Sequence, residues 1–345
     1  MRRHTYIALI IATLLSLGAF SQGVYSSFLL PESARVAALG SHVTSIYDDD
    51  FSLALSNASM LRKEFSDNVL AHYANYFLSY SHLQVDYARY VENVGMFAAS
   101  LALVNFGSID EYDELGNYRG RSAGTYDVLM NIGWGRTLDS HFSLGANAKY
   151  MISGVDYDYV HSLAVDVSAS YVHLGAGFSS TLMVKNIGGI IGKYPLSVSR
   201  EIPFEVLLAV SQKLAHAPFR LCLVIPNLQK WNLLGEDANK ITIDPITGNE
   251  IKPSKIANFG NNLLRHIVPG VELLLFKNFT FRMGYNFQRR QELVVASRGG
   301  ATGLSWGIGL KIHHLHIDYS RSSYHLAGAP NYFTVSTNIN DWQPK

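Results

Sequence analysis

The amino-acid sequence predicts an all-β fold, a transmembrane antiparallel β-barrel of about fourteen strands with a short, partly helical plug segment before the first strand. Three observations predict it. The chain starts with an export signal, long segments alternate apolar and polar residues, and the connections between them alternate between short and long. A large secreted β-sandwich is the main competing fold. Strand length and the order of the connections distinguish the two folds.

The first 21 residues have the composition of a secretory signal peptide. Arg2 and Arg3 precede an apolar run from Tyr6 to Phe20, and small residues stand at the positions that a signal peptidase reads before Gln22. We therefore predict that residues 1–21 are removed and that the remaining chain is exported.

The composition narrows the class of protein further. The chain is 48% hydrophobic and only 16% charged, with 20 Tyr and 17 Phe, yet after the signal it has no apolar run long enough for a spanning helix. The single cysteine, Cys222, cannot form an internal disulfide. A formal net charge of +1 gives no reason to expect nucleic acid as a partner. An exported, aromatic-rich chain without spanning helices is typical of an outer-membrane barrel.

The stretch that follows the signal lacks the strand pattern. Small residues from Ala34 to Leu39, closed by Gly40, predict a short helix with a glycine stop. Ser52 suits the N-cap of a second short helix that runs through Ser56. The acidic run 48–50 lacks the ligand spacing of a calcium loop and is interpreted as a hydrated turn. We expect this stretch to fill part of the barrel.

From about residue 68 onward, side chains alternate with a period of two. The clearest segment, 279–288, places aromatic and apolar residues on one face and Thr, Arg, Gly, Asn and Gln on the other. Such segments run for roughly nine to thirteen residues, enough for a tilted strand to cross a bilayer. Fourteen segments fit this pattern, near 68–77, 81–91, 94–106, 123–137, 141–153, 160–172, 175–186, 201–213, 218–231, 265–276, 278–289, 301–311, 313–321 and 331–339.

The connections give an independent test. Those after even-numbered segments are short, such as 92–93 and 173–174, whereas most of those after odd-numbered segments are long, such as 232–264 and 290–300. This is the arrangement of periplasmic turns and outer loops in membrane barrels. We therefore expect both ends of the barrel, and the start of the N-terminal stretch, on the periplasmic side. The sequence thus predicts four parts: the signal peptide at 1–21, a plug segment at 22–66, the barrel at 67–340 and a short tail at 341–345.

Two of the long loops have the sequence of hairpins. Turn residues separate strand-like flanks at 113–117 and at 244–249. Ordered outer loops can bind a partner, and they can equally serve as protective lids. The partner-binding residues predicted in these turns are Asp113, Asn117, Asp244, Thr247 and Asn249.

Several polar groups have side chains that could carry chemistry. His314, His316 and Asp318 lie on one face of a strand and could ligate a metal, but a polar barrel lining is the preferred interpretation. No nucleophile elbow and no recognisable set of Ser, His and acid occurs, so we expect neither an enzyme nor a cofactor or metal site. Charged residues on the polar faces are expected to pair in the lumen: Asp127, Asp166, Glu205, Glu272 and Arg282.

Five stretches carry a resemblance to a known family. They are 28–40 with Asp48-Asp49 and Ser56-Asn57-Ala58, then Ala71-His72-Tyr73-Ala74-Asn75-Tyr76, Pro203-Phe204-Glu205, Lys213-Leu214-Ala215-His216-Ala217-Pro218-Phe219-Arg220 and Leu228-Gln229-Lys230-Trp231. These stretches resemble the PorV/PorQ family, whose members are relatives of the FadL-type fourteen-stranded barrels. Two features depart from the FadL pattern. Asn57-Ala58-Ser59 replaces the frequent Asn-Pro-Ala, and residues 340–345 follow the last strand, which therefore does not end the chain on an aromatic residue.

The resemblance implies a component of the type IX secretion system in the outer membrane of a Gram-negative, Bacteroidetes-like bacterium, with its loops at the cell surface. Such proteins belong to a cell-surface attachment complex that contains the signal peptidase PorU, the shuttle PorV and the surface protein PorZ. The implied role is to anchor PorZ in the membrane, while the chemistry belongs to PorU.

A passive FadL-like channel for hydrophobic small molecules is the alternative function. It requires a continuous apolar path through the lumen, whereas several predicted inward faces are rich in Asn, Ser, Asp and Lys. A surface enzyme is a third class, and it needs a clustered acid–base pair that the sequence does not show.

Overall fold

The structure is a computed structural model of the 345-residue chain. Most of the chain after the predicted signal peptide is described. The described residues are 27–42, 44–76, 80–113, 115–155, 158–191, 202–234, 242–243, 250–251, 255–276, 278–293, 300–324 and 328–342. The predicted signal peptide therefore lies outside the described residues.

Fourteen antiparallel strands close into a barrel, and this confirms the predicted fold class. The first seven barrel strands are β1 to β7, at Asn68–Asn75, Ser81–Val91, Gly95–Tyr112, Tyr118–Thr137, Phe142–Val155, Asp158–His173 and Phe178–Ile191. The other seven are β8, β9 and β12 to β16, at Glu205–Lys213, Phe219–Ile225, Val268–Leu275, Phe279–Tyr285, Leu304–Ile312, Leu315–Ser322 and Asn331–Asn338. Strands β10 (Thr242–Ile243) and β11 (Glu250–Ile251) form a separate pair outside the barrel.

The connections follow the predicted order. Those after β2, β4, β6, β8, β12 and β14 have two to five residues, and we call this side the short-turn end. The opposite side, the long-loop end, carries the extended connections 192–204, 226–267 and 286–303. The barrel closes at the short-turn end, where Asn68 at the start of β1 pairs with Asn338 at the end of β16.

The barrel has a polar interior and an apolar exterior. In β2, Leu83, Val85 and Tyr87 are exposed on the outside, whereas Gln84 and Asp86 are buried in the lumen. A water-soluble sheet would bury the apolar face instead. Alternation of this sign, with strands long enough to cross a bilayer, is typical of membrane barrels. Among the described residues, no helix is long and apolar enough to span a membrane.

The barrel wall is not uniform in height. Strands β3 to β7 have 14 to 20 residues, whereas β9 and β13 have only seven and β12 between them has eight. At the long-loop end, β2 pairs with β3 up to Asn105, and β5 pairs with β4 up to Thr125. Beyond this point β3 and β4 continue as a hairpin whose last described pair is Tyr112 with Tyr118.

Three α-helices occur among the described residues. Helix α1 (Ala34–Ala38) lies inside the barrel, and α2 (Lys255–Arg265) and α3 (Phe287–Leu293) belong to the long loops. Neither loop helix was predicted, and the expected strand 278–289 ends four residues early. The reason is Asn286, whose side-chain oxygen accepts a hydrogen bond from the backbone N–H of Arg289 at 2.8 Å and caps α3.

Both predicted hairpins are present where the structure describes them. The β3–β4 hairpin turns at 113–117, as the turn residues there predict. In the second, Thr242 pairs with Ile251 and Ile243 pairs with Glu250. The turn 244–249 between them lies outside the described residues.

Candidate functional site in the lumen and at the long-loop end

Residues 27–66, which we call the plug, pass through the barrel from one end to the other. Near the long-loop end, the hydroxyl of Ser27 donates to the carboxylate of Asp127 in β4 at 2.5 Å. At the short-turn end, the segment leads through Ser66 into β1. The expectation that this stretch starts at the short-turn end is therefore wrong for its described part. The plug runs from the long-loop end to the short-turn end. Polar groups along its length form hydrogen bonds with the inner face of the wall.

Helix α1 confirms the first predicted helix of this stretch. Ser33 caps its start by accepting from the N–H of Val36 at 3.2 Å, and Gly40 ends it with a φ of 102°, a conformation that favours glycine. The helix is buried on all sides in the lumen. Ala34 and Ala37 pack in a cluster with aromatic side chains that include Tyr76 and Tyr332.

The second predicted helix is shorter than expected and has a different cap. A 3-10 turn covers Phe51–Leu53, and its N-cap is Asp50, whose carboxylate accepts from the N–H of Ser52 at 2.9 Å. The prediction that Ser52 is the N-cap is wrong. Asp50 takes this role because it precedes the turn directly, so its carboxylate can reach the N–H of Ser52.

A buried group of charges joins the plug to the wall, and we call it the charge cluster. Three guanidinium groups face four carboxylates in it: Arg35, Arg220, Arg282, Asp48, Asp50, Glu272 and Asp318. Arg35 is 2% exposed and Glu272 is fully buried. The interpretation of the acidic run 48–50 as a hydrated turn is therefore wrong for Asp48 and Asp50.

Arg35 is the central residue of the charge cluster. It reaches Asp48 at 2.6 Å, Asp50 at 2.9 Å and Glu272 at 2.8 Å. Burial opposes ionisation of Asp48, but the guanidinium groups of Arg35 and Arg220 outweigh it and hold the pKa of that carboxyl well below its usual range. The pairing of Asp48 with two guanidinium groups therefore favours its ionised form.

The wall completes the charge cluster from four strands. Glu272 in β12 accepts from Arg220 in β9 at 2.5 Å and from Arg282 in β13 at 2.9 Å, and Arg282 also pairs with Asp318 in β15. The prediction that Glu272 and Arg282 pair in the lumen is confirmed. Asp166, predicted in the same set, pairs with Lys149 at 2.5 Å. Glu205 lies 3.6 Å from the imidazole of His42 in the plug.

Uncharged groups tie the lower part of the plug to the wall. Ser59 donates its N–H to Ser168 at 3.2 Å, and the side chain of Asn147 donates to the carbonyl of Leu55 at 3.1 Å. The backbone there lies so close to Gly145 in β5 that a Cβ atom on this glycine would be 2.1 Å from the nitrogen of Ser59. The plug and the wall are therefore packed directly against each other.

Three described cavities show how far the plug fills the lumen. One, of about 450 Å³, opens at the short-turn end beside the charge cluster, and Lys311 and His316 line it. A second, of about 360 Å³, lies at the same end beside Arg62 in the plug and Arg136 in the wall. The third, of about 30 Å³, lies between the plug and the wall beside Glu32 and has room for little more than water. Polar and charged side chains line each of these cavities together with apolar ones.

The predicted metal ligands do not converge. Asp318 belongs to the charge cluster, His316 lines the larger cavity, and the ring of His314 lies 3.6 Å from Asp341 and packs against Trp342. Across the described part of the chain, no three His, Cys, Asp or Glu side chains lie close enough to hold a metal ion.

The predicted partner-binding residues divide into two groups. Asp113 and Asn117 lie at the tip of the β3–β4 hairpin, where Asp113 accepts from the N–H groups of Leu115 and Asn117 at 3.0 and 2.8 Å. Hydrogen bonds from the backbone and side chain of Asn117 lower the pKa of Asp113. Both residues thus stabilise the turn. The other three, Asp244, Thr247 and Asn249, lie outside the described residues.

Sequence reasoning missed the role of Arg35 as the link between plug and wall. Its partner Glu272 is 237 positions away, and no local pattern marks such a pair. Their common signal is that both are charged residues in otherwise apolar or small-residue surroundings.

Comparison with known proteins supports the fold. No family model and no curated protein matches the chain. Among solved structures, the Pseudomonas putida toluene transporter TodX aligns with 89% of this chain and 96% of that chain, with 10% identity and a TM-score of 0.50. A TodX variant described as a monoaromatic hydrocarbon channel covers 89% and 99%, with 11% identity and a TM-score of 0.52. A Pseudomonas aeruginosa FadL homologue covers 91% and 100%, with 10% identity and a TM-score of 0.50.

These likenesses concern the fold. The chain has the architecture of the FadL-type outer-membrane barrels, with fourteen strands and a segment inside the lumen. The apolar exterior and polar interior of its wall fit an outer-membrane location in a Gram-negative cell.

Proposed function

We propose that this protein is a plugged outer-membrane barrel that anchors a surface protein through its long-loop end. In this proposal it belongs to a type IX secretion attachment complex of the PorV/PorQ kind, in which PorZ is the surface partner and PorU and PorV are further members. The sequence resemblance supports the identity of the complex. The barrel's role is to bind and hold, and it needs no catalytic group, cofactor or metal.

The projecting β3–β4 hairpin is the observation that carries the proposal. From Asn105 to Tyr112 the strand extends beyond its neighbours for seven residues, or roughly 20 Å along the strand. Leu115 at its tip is 87% exposed, and Tyr118 is exposed beside it. A rigid hairpin with an apolar and an aromatic side chain at its tip has the features of a protein-binding element.

The turn is ordered by its own hydrogen bonds. Besides the bonds to Asp113, the hydroxyl of Ser122 donates to Asp110 at 2.6 Å across the two strands. An ordered hairpin loses less conformational entropy on binding than a mobile loop does, so its exposed tip can contribute more to affinity.

Retention of PorZ at the cell surface tests the proposal. Leu115→Asp places a charge at the hairpin tip, and we expect surface PorZ to fall at least several-fold. Leu174→Asp is the matched control, because Leu174 is also an exposed leucine in a turn but lies at the short-turn end. If both variants insert correctly and the strain with Leu115→Asp retains as much PorZ as the strain with Leu174→Asp, binding through this hairpin is contradicted.

A passive channel for hydrophobic molecules is the second candidate. The fold likeness to the toluene transporter TodX supports it. The polar lumen opposes it, since Asn147, Lys149 and Asp166 line the wall around the plug. Uptake of a radiolabelled monoaromatic compound by a null strain, restored by this protein alone, would favour the channel over the anchor.

A further inference from the structure

Helix α2 presents its apolar face outward and its polar face to the protein. Ile256, Phe259 and Leu263 lie on one side of the helix and are 84%, 57% and 41% exposed. On the other side, Asn262 and Arg265 are buried against the chain. A loop helix in water has the opposite arrangement, with its apolar side packed on the protein.

Specific contacts hold the helix in this orientation. The side chain of Asn262 accepts from the N–H of Leu233 at 2.8 Å and donates to the carbonyl of Trp231. Arg265 donates to the carbonyl of Leu233 at 3.2 Å. Its guanidinium group also lies 3.7 Å from the carboxylate of Glu292 in the last turn of α3. The polar face is therefore paired, and rotation of the apolar side toward the protein would break these bonds.

The helix stands directly above the lowest part of the wall. His266, one residue after α2, lies 2.9 Å from the carbonyl of Pro226, the residue that follows β9. The seven residues of β9 extend for about 23 Å, and at a tilt of about 40° they rise only about 18 Å. The apolar band of a membrane barrel is about 25 Å tall. The gap of about 7 Å is smaller than the diameter of one helix, about 10 Å.

The apolar surface of the wall continues onto the helix. Leu223 on the outside of β9, then Leu228 and Trp231 in the connection, are all exposed. The ring of Trp231 lies 5.6 Å from that of Phe259 in α2. Aromatic side chains at the upper edge of the apolar band are typical of the membrane interface.

We propose that the apolar face of α2 lies among the lipid acyl chains of the outer leaflet and completes the membrane-facing surface above β9 and β12. Contact of α2 with lipid then explains three features together: the short strands, the apolar surface that continues onto the helix, and the outward apolar face. The helix replaces strand in this part of the wall, in the manner of an interfacial amphipathic helix.

Spin labels on single cysteines test the proposal in the full-length protein reconstituted in phospholipid vesicles. The background is Cys222→Ala, which removes a buried thiol. The label at Ile256→Cys is compared with Leu221→Cys on the outside of β9 and with Leu115→Cys at the hairpin tip. We expect collisions with oxygen to exceed collisions with a water-soluble nickel complex several-fold at Ile256 and Leu221, and the reverse at Leu115.

Two results would overturn the proposal. One is an Ile256 label that behaves like the Leu115 label in vesicles. The other is an Ile256 label that is open to nickel in vesicles but protected in native membranes, because this pattern indicates a protein partner on α2.

A second variant gives an independent readout. Phe259→Asp places a charge in the acyl layer and should lower the thermal midpoint in vesicles by about 2–4 °C. Leu115→Asp should leave the midpoint unchanged, because its side chain faces water. Equal midpoints for Phe259→Asp and the unmodified protein in vesicles would also contradict a lipid-facing helix.

Discussion

Arg35 and Glu272 join the plug to the barrel wall through two hydrogen bonds, at 2.8 Å from Nε and 3.0 Å from Nη2. Both side chains are almost completely buried. Breaking a buried ion pair from one side leaves an uncompensated charge and costs about 3–5 kcal/mol. The pair therefore makes a large contribution to holding the plug against the wall.

We predict that Arg35→Met lowers the free energy of unfolding by about 3–5 kcal/mol and raises single-channel conductance in planar bilayers. The reason is that the carboxylates of Asp48, Asp50 and Glu272 lose their shared partner and repel one another. The double variant Arg35→Met with Glu272→Gln removes one of these charges and should recover part of the stability. A single variant as stable and as closed as the unmodified protein would exclude this role of Arg35.

Deletion of residues 27–60 tests whether the plug seals the barrel. We expect a steady conductance that the full chain lacks, because this segment is buried inside the lumen and packs directly against the wall. Conductance is measured at several salt concentrations to separate an open pore from leakage. If the shortened barrel stays closed, the long loops or the lumen side chains form the seal instead.

Gly145 tests the close packing of plug and wall. In Gly145→Ala the new Cβ atom meets the backbone of Ser59, and neither main chain can move without breaking the sheet or the plug. We predict a loss of about 1–3 kcal/mol in the free energy of unfolding, read from urea titrations in detergent. Gly124→Ala is the control, since nothing lies within 4 Å of its Cβ position. Equal effects of the two substitutions would mean that the plug does not press on β5.

The short-turn end contains a carboxylate whose contribution depends on pH. Hydrogen bonds lower the pKa of Asp67 to about 2, and the bond from Arg89 contributes more than the bond from Tyr87. The pKa in the unfolded chain is near 3.8, so the ionised form stabilises the fold above that pH and loses its effect as the pH falls toward 2.

Asp67→Asn removes this charge but tolerates the φ of 65° at this position. We predict that the unmodified protein has the higher thermal midpoint at pH 5 and that most of this difference is lost at pH 2. A difference that is the same at both pH values would show that the charge of Asp67 is not responsible.

The strands were predictable because a barrel wall meets the same two environments along its whole circumference. The alternation of apolar and polar residues in each strand therefore shows which side faces lipid. In β2, Leu83 faces outward and Gln84 faces the lumen. The contacts of the plug were not predictable in this way. The neighbours of Asp48 mark it as a turn residue, but its carboxylate pairs with Arg220, 172 positions away.

The loop helices show a second limit. The apolar residues of α2 have helical spacing, yet the stretch contains no signal for which face meets the protein. That choice depends on Asn262 finding the backbone of 231–233, a contact between two parts of one long connection. The same spacing in a soluble protein would be interpreted as a helix with a buried apolar side.

The course of the plug also constrains the order of assembly. The plug is continuous with β1, the first strand, while the seam of the barrel forms only when β1 meets β16, the last one. Ala34 donates to Thr334 on that last strand, 300 positions away, so this bond waits until the chain is complete. The seam between β1 and β16 and the bond from Ala34 to β16 both need the last strand. The native contacts of the plug are therefore completed no earlier than the wall itself.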